Sequence, residues 1–201
     1  MGNTLELYKE IFEANQRFST EVFENHEYAK ALPQLTIIDA GAYEGEFSFY
    51  CLNIAKKIYA FEPDPRPGKV FAERIDKYDL SNKIKFYDQA LAGKTGDRLF
   101  NATGHGGSSL QPGNGTSLGP MIKVKAMSLA DVFKENKIEK VDILKIDIES
   151  GEEEVFRNAA FKKLAPKIDV IIGEHLESLR NYFKRLGYKE TIDRNNFIYK
   201  R

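Results

Sequence analysis

Apolar and polar residues alternate in two different ways along the chain. Before residue 35, apolar side chains recur at helical spacing until Pro33 interrupts them, which predicts one or two amphipathic helices. These apolar residues are Leu5, Tyr8, Ile11, Phe12, Phe18, Val22 and Phe23. Beyond them, short apolar runs typical of buried strands lie at 36–40, 58–61, 84–87, 141–146 and 168–173.

Stretches of mostly helical character separate these runs. Strands that alternate with helices predict an α/β fold, in which a parallel sheet carries helices on both faces. The end of the chain is different, because Gly187 closes a helix and residues 188–192 and 197–200 read as strands around a turn at 193–196. The sequence therefore predicts a terminal antiparallel hairpin.

A chain of 201 residues is long enough to bury a core and most often forms one domain. We expect residues 35–201 to form that domain and residues 1–34 to pack on it or to cap it. Residues 101–120 are rich in Gly, Ser, Asn and Pro and predict a long loop, a feature that is often functional in compact domains.

Charge and composition exclude several classes of function. Thirty Lys and Arg balance thirty Asp and Glu, so no overall positive field attracts nucleic acid. No apolar run is long enough to span a bilayer, and the amino terminus lacks a signal-peptide pattern. We expect a soluble, cytoplasmic protein whose single Cys51 is a buried helix thiol rather than a nucleophile.

The segment from Thr36 to Ser48 holds the most informative motif. An apolar strand runs into a loop with Gly41 and Gly45 and then into a helix, which is how α/β sheets present nucleotide-like ligands at their carboxyl edge. The spacing lacks the third glycine of the dinucleotide-binding motif. Three acids, Asp39, Glu44 and Glu46, surround the turn with negative charge. This charge disfavours a phosphate ligand and favours a cationic one such as S-adenosylmethionine.

Two later strand ends offer groups for the rest of such a ligand. Glu62 ends the next apolar run, about where a carboxylate that accepts bonds from a ribose diol is expected. The alternative is an ordinary acid at a helix turn. Asp88 and Gln89 follow the third run and either read an adenine amino group or simply form a turn.

Residues 141–155 form the second strong segment. Lys145 interrupts an apolar strand that ends in Asp147 and Glu149, and a charge inside a strand is costly unless it is paired or used. Lys145 therefore either pairs with one of these acids or has a ligand or catalytic role.

The next strand end, Ile171–His175, repeats this pattern. His175 is either a satisfied core residue or a general base facing the same crevice as Asp147. Asp147 and Glu174 are also candidates for holding Mg²⁺ through their oxygens, although two carboxylates without a third ligand are more often hydrogen-bonding partners.

Taken in order, these motifs resemble the FkbM family of S-adenosylmethionine-dependent methyltransferases. The resemblance runs from Ile37 to about His175 and includes Ser150, which stands where the family pattern Asp-x-Glu-Gly has its glycine, with Gly151 following. The matching segments are Ile38–Gly45, Phe61–Pro63, Gln89–Leu91, Gly107–Leu110, Met127–Asp131, and Leu144–Glu149 with Glu152.

The resemblance implies a class I methyltransferase, Rossmann-like sheet of seven strands with an antiparallel last strand. It also implies that Asp39, Gly41 and Gly45 hold the methionine part of the cofactor, Glu62 its ribose, and Gln89 with Ala90 its adenine, while Ser108 and Ser109 close a lid. The predicted cofactor-binding set is Asp39, Ala40, Gly41, Ala42, Tyr43, Gly45, Ser48, Glu62, Pro63, Gln89, Ala90, Ser109 and Asp147. The predicted catalytic set is Asp147, Glu149 and His175.

The predicted activity is O-methylation of a hydroxyl on a small polar acceptor, such as a sugar or natural product, with S-adenosylmethionine as cofactor. The alternatives are an NAD-dependent oxidoreductase and a catalytically inactive module that binds the cofactor. We expect a small-molecule acceptor as partner, no nucleic acid and no membrane. The amino-terminal helices either cap the active site, pair two subunits in a homodimer, or simply pack on their own sheet.

Overall fold

The apolar runs form the parallel part of a central sheet. The structure is a computed structural model that describes residues 34–104, 107–110, 119–174, 176–193 and 196–201. All five predicted runs are strands, namely β1 (Leu35–Ala40), β2 (Ala55–Phe61), β3 (Ile84–Tyr87), β7 (Val141–Ile146) and β8 (Ile168–Gly173). They pair in parallel in the order β3-β2-β1-β7-β8.

The carboxyl-terminal hairpin completes this sheet. Strands β9 (Lys189–Asp193) and β10 (Asn196–Lys200) pair antiparallel, and β10 also pairs antiparallel with β8. The result is a seven-stranded sheet in the order β3-β2-β1-β7-β8-β10-β9. Both the hairpin and the antiparallel last strand confirm the sequence prediction.

Helices cover both faces of the sheet. They are α1 (Glu46–Tyr50), α2 (Pro65–Lys77), α3 (Leu129–Glu135), α4 (Glu152–Phe156), α5 (Ala159–Leu164) and α6 (Arg180–Arg185), with 3₁₀ turns at Ala165–Lys167 and Glu177–Leu179. One face buries Phe47, Phe49 and Phe71 of α1 and α2. The opposite face buries the aromatic residues of α3 to α6. The carboxyl ends of the parallel strands therefore lie between two packed layers.

The region between β3 and β7 contains a second sheet, although the sequence predicted mainly helix and loop there. Strands β4 (Ala90–Ala92), β5 (Gly96–Asn101) and β6 (Met121–Ser128) form it in the order β4-β6-β5. The signal was the period-two alternation of β6, whose lysines face outward while Val124 and Ala126 are buried. The predicted loop over 101–120 thus lies between β5 and β6, with Asn101 as the last residue of β5.

The amino-terminal segment lies outside the described residues except for Gln34, so its predicted helices and its capping role stay predictions. In the part of the chain that the structure does describe, no helix is long and apolar enough to cross a membrane.

Aromatic rings fill the core beneath α6. Phe183 is fully buried, and its ring centroid lies 4.9 Å from that of Phe156, 5.8 Å from that of Tyr188 and 4.4 Å from that of Tyr199. These contacts join two helices to the terminal hairpin. Phe183 therefore packs α4 and α6 against the antiparallel end of the sheet.

We expect Phe183→Ala to lower the free energy of unfolding by about 3–5 kcal/mol, because the truncated side chain leaves a cavity among rigid rings. Denaturant unfolding followed by circular dichroism measures this loss. Leu99→Ala is the control, since Leu99 is 64% exposed and its truncation changes stability by no more than about 0.5 kcal/mol. Equal losses in the two variants would contradict this account of the core.

Candidate active site

The glycine turn after β1 packs directly against the end of β7. Gly41 and Gly45 have φ values of +75° and +92°, a region that favours glycine. A Cβ atom at position 41 would lie 1.8 Å from the carbonyl oxygen of Asp147. The turn is also held to β2, because the Gly41 and Ala42 N–H groups donate to the Phe61 carbonyl at 3.0 and 2.9 Å.

Asp39 lies beneath this turn and is fully buried. Its Oδ2 accepts a hydrogen bond of 2.7 Å from the Ser48 hydroxyl of α1. Its Oδ1 lies 3.5 Å from Nζ of Lys145 and has no hydrogen-bond partner among the described residues. The carboxylate therefore ties α1 and β7 to β1.

Lys145 is the charged residue inside β7, and its contacts explain how the strand tolerates this charge. The parallel register sets it opposite Asp39, and Nζ donates to the Gly41 carbonyl at 2.6 Å. Asp147 lies 4.0 Å away, so Asp39 is the closer acid. Burial on its own lowers the pKa of the ammonium, but the surrounding carboxylates, led by that of Asp39, raise it overall. Lys145 is therefore a cation at neutral pH.

Glu62 ends β2 in a nearly buried position. Its oxygens accept backbone hydrogen bonds from Tyr43 at 2.9 Å and from Asp64 at 2.8 Å. Burial raises the pKa of this carboxyl to about 7, although the two N–H donors oppose the shift. The site therefore contains an acid that titrates near neutrality.

A cavity of about 370 Å³ opens at the carboxyl edge of β1, β2 and β7. Eight residues predicted for the site line it, namely Gly41, Ala42, Tyr43, Glu62, Pro63, Ala90, Asp147 and Glu149. The topology brings these residues together from four strand ends that are far apart in the sequence.

Other predicted residues lie behind the cavity wall. Asp39, Ala40 and Ser48 are buried beneath it, and Gly45 packs against the Phe71 ring, where a Cβ would lie 2.2 Å from a ring carbon. Gln89 and Ser109 are likewise absent from the wall, whereas their neighbours Ala90 and Ser108 line it. Such residues shape the cavity through the elements that they hold in place.

The sequence analysis missed an apolar part of the wall. It consists of Phe47, Pro67, Leu91, Phe100, Leu110 and Ile148. Phe100 lies in β5 just before the segment 101–120 that was predicted as a loop, and Leu110 lies within that segment, so recognition of β5 would have placed only Phe100 here. Together these side chains give the cavity an apolar surface, which suits an aromatic base.

The acids of the glycine turn are partly neutralised. Arg74 of α2 lies 2.9 Å from Oε2 of Glu44 and 3.7 Å from Oε1 of Glu46, and it also donates to the Glu44 carbonyl. The negative field expected from the sequence is thus weaker at the turn than the count of acids indicates. Two further acids, Asp147 and Glu149, line the cavity beyond the end of β7.

The segment Gly107–Leu110, here called the strap, fastens two strand ends that flank the cavity. The Ser108 hydroxyl donates to Asp64 at 2.8 Å, and Asp64 caps α2 after β2. The Ser109 hydroxyl donates to the Glu149 carbonyl at 2.5 Å, beyond the end of β7. The strap therefore links the two sides of the cavity, and its closure as a lid stays a prediction.

Ser150 occupies the position where the family pattern Asp-x-Glu-Gly has its glycine, and its backbone adopts the left-handed conformation that glycine favours. Glu149 and Ser150 have φ values of +54° and +79°, whereas the following Gly151 has an ordinary φ of −89°. The turn keeps a left-handed geometry without the residue that favours it, which costs conformational energy.

The end of β8 gives no support to a metal site. Glu174 is half-buried, and His175 lies outside the described residues, so its role as general base stays a prediction. Among the described residues no group of three or more His, Cys, Asp or Glu is placed to hold a metal. The Mg²⁺ considered for Asp147 and Glu174 therefore has no observation behind it.

The strand order, the antiparallel β10 and a cavity at the carboxyl edge define a class I methyltransferase fold. The profile of the family described as "Methyltransferase FkbM domain" matches residues 39–190, and the chain therefore belongs to the FkbM methyltransferase family. This confirms the resemblance found in the sequence. No curated protein matches the chain significantly.

Solved structures share this fold at low sequence identity. An FkbM methyltransferase from Methylobacillus flagellatus KT has a TM-score of 0.59 at 16% identity, over 84% of this chain and 44% of that chain. The METTL16 methyltransferase domain has a TM-score of 0.52 at 12% identity, over 98% and 67% of the two chains. An uncharacterised Listeria monocytogenes serotype 4b protein has a TM-score of 0.50 at 15% identity, over 91% and 66%. This chain thus spans less than half of the M. flagellatus protein.

We expect Ser150→Gly to raise the free energy of unfolding by about 1 kcal/mol, because glycine adopts a positive φ without strain. Ser81→Gly is the matched control, since Ser81 is an exposed turn residue outside the left-handed region and its replacement brings only the entropic cost of glycine. Chemical denaturation of both variants checks the difference, and a loss of stability in Ser150→Gly would overturn this account of the turn.

Proposed function

We propose that this chain transfers a methyl group from S-adenosylmethionine to a hydroxyl of a small polar acceptor, such as a sugar or natural product. One observation carries the proposal: a single cavity is lined by the Gly41 turn, by the buried acid Glu62 and by two acids beyond β7. Membership of the FkbM family supports methyl transfer. The balanced overall charge favours a small acceptor over nucleic acid.

The residues of the cavity fit this cofactor. Glu62 offers carboxylate oxygens beside the cavity, as a ribose diol requires, and Pro63, Ala90 and Leu91 provide an apolar surface for adenine. Asp147 supplies negative charge near the turn for a cationic ligand. We assign the remaining predicted residues, Asp39, Ala40, Gly45, Ser48, Gln89 and Ser109, to the support of this wall.

S-adenosylmethionine supplies, when bound, an electrophilic methyl group on a sulfonium. The protein has to align the acceptor oxygen with that group and to keep water away from it. The strap and the apolar wall serve this purpose, because they cover the cavity between β2 and β7. Alignment of the two reactants supplies most of the rate.

An aliphatic hydroxyl is a weak nucleophile at neutral pH, so a base has to accept its proton during attack. Asp147 and Glu149 line the cavity and are the described candidates. His175 is the third candidate from the sequence. Each of these groups would hold the proton on a side-chain oxygen or ring nitrogen and then release it to solvent.

We also propose that the enzyme is cytoplasmic and that residues 35–201 form its methyltransferase domain, while residues 1–34 pack on it, cap it or pair two subunits. A nicotinamide dehydrogenase and an inactive cofactor-binding module are the rival functions. Calorimetric titration with S-adenosylhomocysteine and with NAD distinguishes a methyltransferase from a dehydrogenase. The proposed function requires that S-adenosylhomocysteine binds and that NAD does not. Transfer of labelled methyl groups to molecules of a cell extract distinguishes an active enzyme from an inactive cofactor-binding module.

We expect the double variant Asp147→Ala with His175→Ala to lose about 10²- to 10⁴-fold in turnover at saturating S-adenosylmethionine, because a general base acts on the acceptor. Radiolabelled methyl transfer to the acceptor found in the extract is the assay. Asp97→Ala is the control, since Asp97 pairs with exposed lysines on the small sheet. Full turnover in the double variant would remove both residues from the mechanism.

We expect affinity for S-adenosylhomocysteine to rise as pH rises through about 7, the pKa of Glu62, because only the ionised carboxylate accepts both ribose hydroxyls. The same ionisation is disfavoured in the fold, so its contribution to stability falls as pH rises from 4.5 to about 7.

Calorimetric titration with S-adenosylhomocysteine at pH values on both sides of about 7 measures the affinity, and Glu62→Gln is the control. This variant should bind more weakly and lose the pH dependence. A wild-type affinity that does not change with pH, or an unchanged slope in Glu62→Gln, would contradict the assignment of Glu62 to the ribose.

A further inference from the structure

We propose that Lys145 binds the α-carboxylate of the methyl donor, so that Lys145 and Asp147 together recognise its amino-acid end. This inference rests on the proposed function, because it concerns the cofactor of the same site. Lys145 was not among the cofactor-binding residues predicted from the sequence.

The register of the central strands delivers the Lys145 ammonium to the cavity. Lys145 lies on β7 opposite Asp39 of β1 and lines the cavity wall, while its side chain is only 14% exposed. A lysine confined in this way at the end of a strand cannot swing out to solvent. Its charge therefore acts on whatever fills the cavity.

The Lys145 ammonium makes one short hydrogen bond and two long contacts. It carries three N–H donors, and one is used in the 2.6 Å bond to the Gly41 carbonyl. The other contacts are long, at 3.4 Å to the Ala40 carbonyl and 3.5 Å to Asp39. A carboxylate that arrived from the cavity would form a shorter, charge-assisted bond than either of these contacts.

The neighbouring charges match an amino acid. Lys145 and Asp147 present a cation and an anion 4.0 Å apart on the same wall. A free amino-acid group carries an ammonium and a carboxylate on one carbon atom. The pair therefore accepts the carboxylate at Lys145 and the ammonium at Asp147 without adding net charge to the cavity.

The location along the sheet agrees with the rest of the cofactor. Glu62 ends β2, and β1 lies between β2 and β7, so two strand spacings of roughly 4.8 Å separate the strand of Glu62 from that of Lys145. A nucleoside held at Glu62 would extend its amino-acid arm over the Gly41 turn toward β7. Lys145 is the cation at the end of that path.

Calorimetry with two ligands tests this role. S-adenosylhomocysteine has the amino-acid end, whereas 5′-methylthioadenosine has the same nucleoside thioether without it. We expect Lys145→Met to weaken binding of S-adenosylhomocysteine about 10- to 100-fold, the effect of one hydrogen bond between charged groups. Binding of 5′-methylthioadenosine should stay within about twofold of the wild type.

Equal losses for both ligands would show that Lys145 only holds the glycine turn, and no loss for either would remove it from cofactor binding. Lys57→Met is the matched control, since Lys57 is a strand lysine of β2 that bonds to the Ser81 and Asn82 carbonyls. Both affinities should survive in that variant.

Where Lys145→Met fails to fold, the wild-type protein and Lys145→Arg decide instead. The wild type should prefer S-adenosylhomocysteine over its decarboxylated analogue by the same factor, and Lys145→Arg should retain that preference. Equal wild-type affinity for the two would overturn the inference alone. A wild type that bound neither S-adenosylhomocysteine nor 5′-methylthioadenosine would overturn the proposed function itself.

Discussion

The buried ion pair between Asp39 and Lys145 holds the centre of this molecule together. It joins β1 to β7, the two strands whose ends carry the glycine turn and the candidate catalytic acids. Burying either charge alone would be expensive, because each would lose its hydration without compensation. Together they allow charge at the middle of a sheet whose neighbouring residues are almost all aliphatic. The geometry of the cavity follows from this pairing, since Ser48 and the Gly41 carbonyl are bound to the same two side chains.

Much of the main sheet could be predicted from the sequence, because its strands are buried on both faces. Runs such as Val141–Ile146 have to be apolar throughout, and few other elements of that length give this pattern. The small sheet escaped prediction because one side of it faces solvent. Lys123 and Lys125 then alternate with apolar residues, and a Gly- and Ser-rich stretch between β5 and β6 hides their pairing. Local composition outweighed a weak alternation there.

The site was predictable to the extent that it depends on strand ends. Asp147 and Glu149 follow an apolar run, and parallel topology brings such ends to one edge. Contacts that depend on register were not readable, which is why the sequence analysis did not pair Asp39 with Lys145. Arg74 of α2 likewise reaches the acids of the turn from a distant part of the sequence. Roles of individual residues depend on such long-range pairings, whereas the existence of the site does not.

The close approach of Gly41 to the Asp147 carbonyl has a consequence for the evolution of this chain. A single methyl group at position 41 has no room, so any side chain there would push β1 and β7 apart. The hydrogen bond from Asp147 N–H to the Ala40 carbonyl, 3.0 Å long, would be lost with the same displacement. Substitution of Gly41 is therefore destabilising, whichever molecule accepts the methyl group. The loops around the cavity are free to diversify, because the two strands beneath them cannot separate.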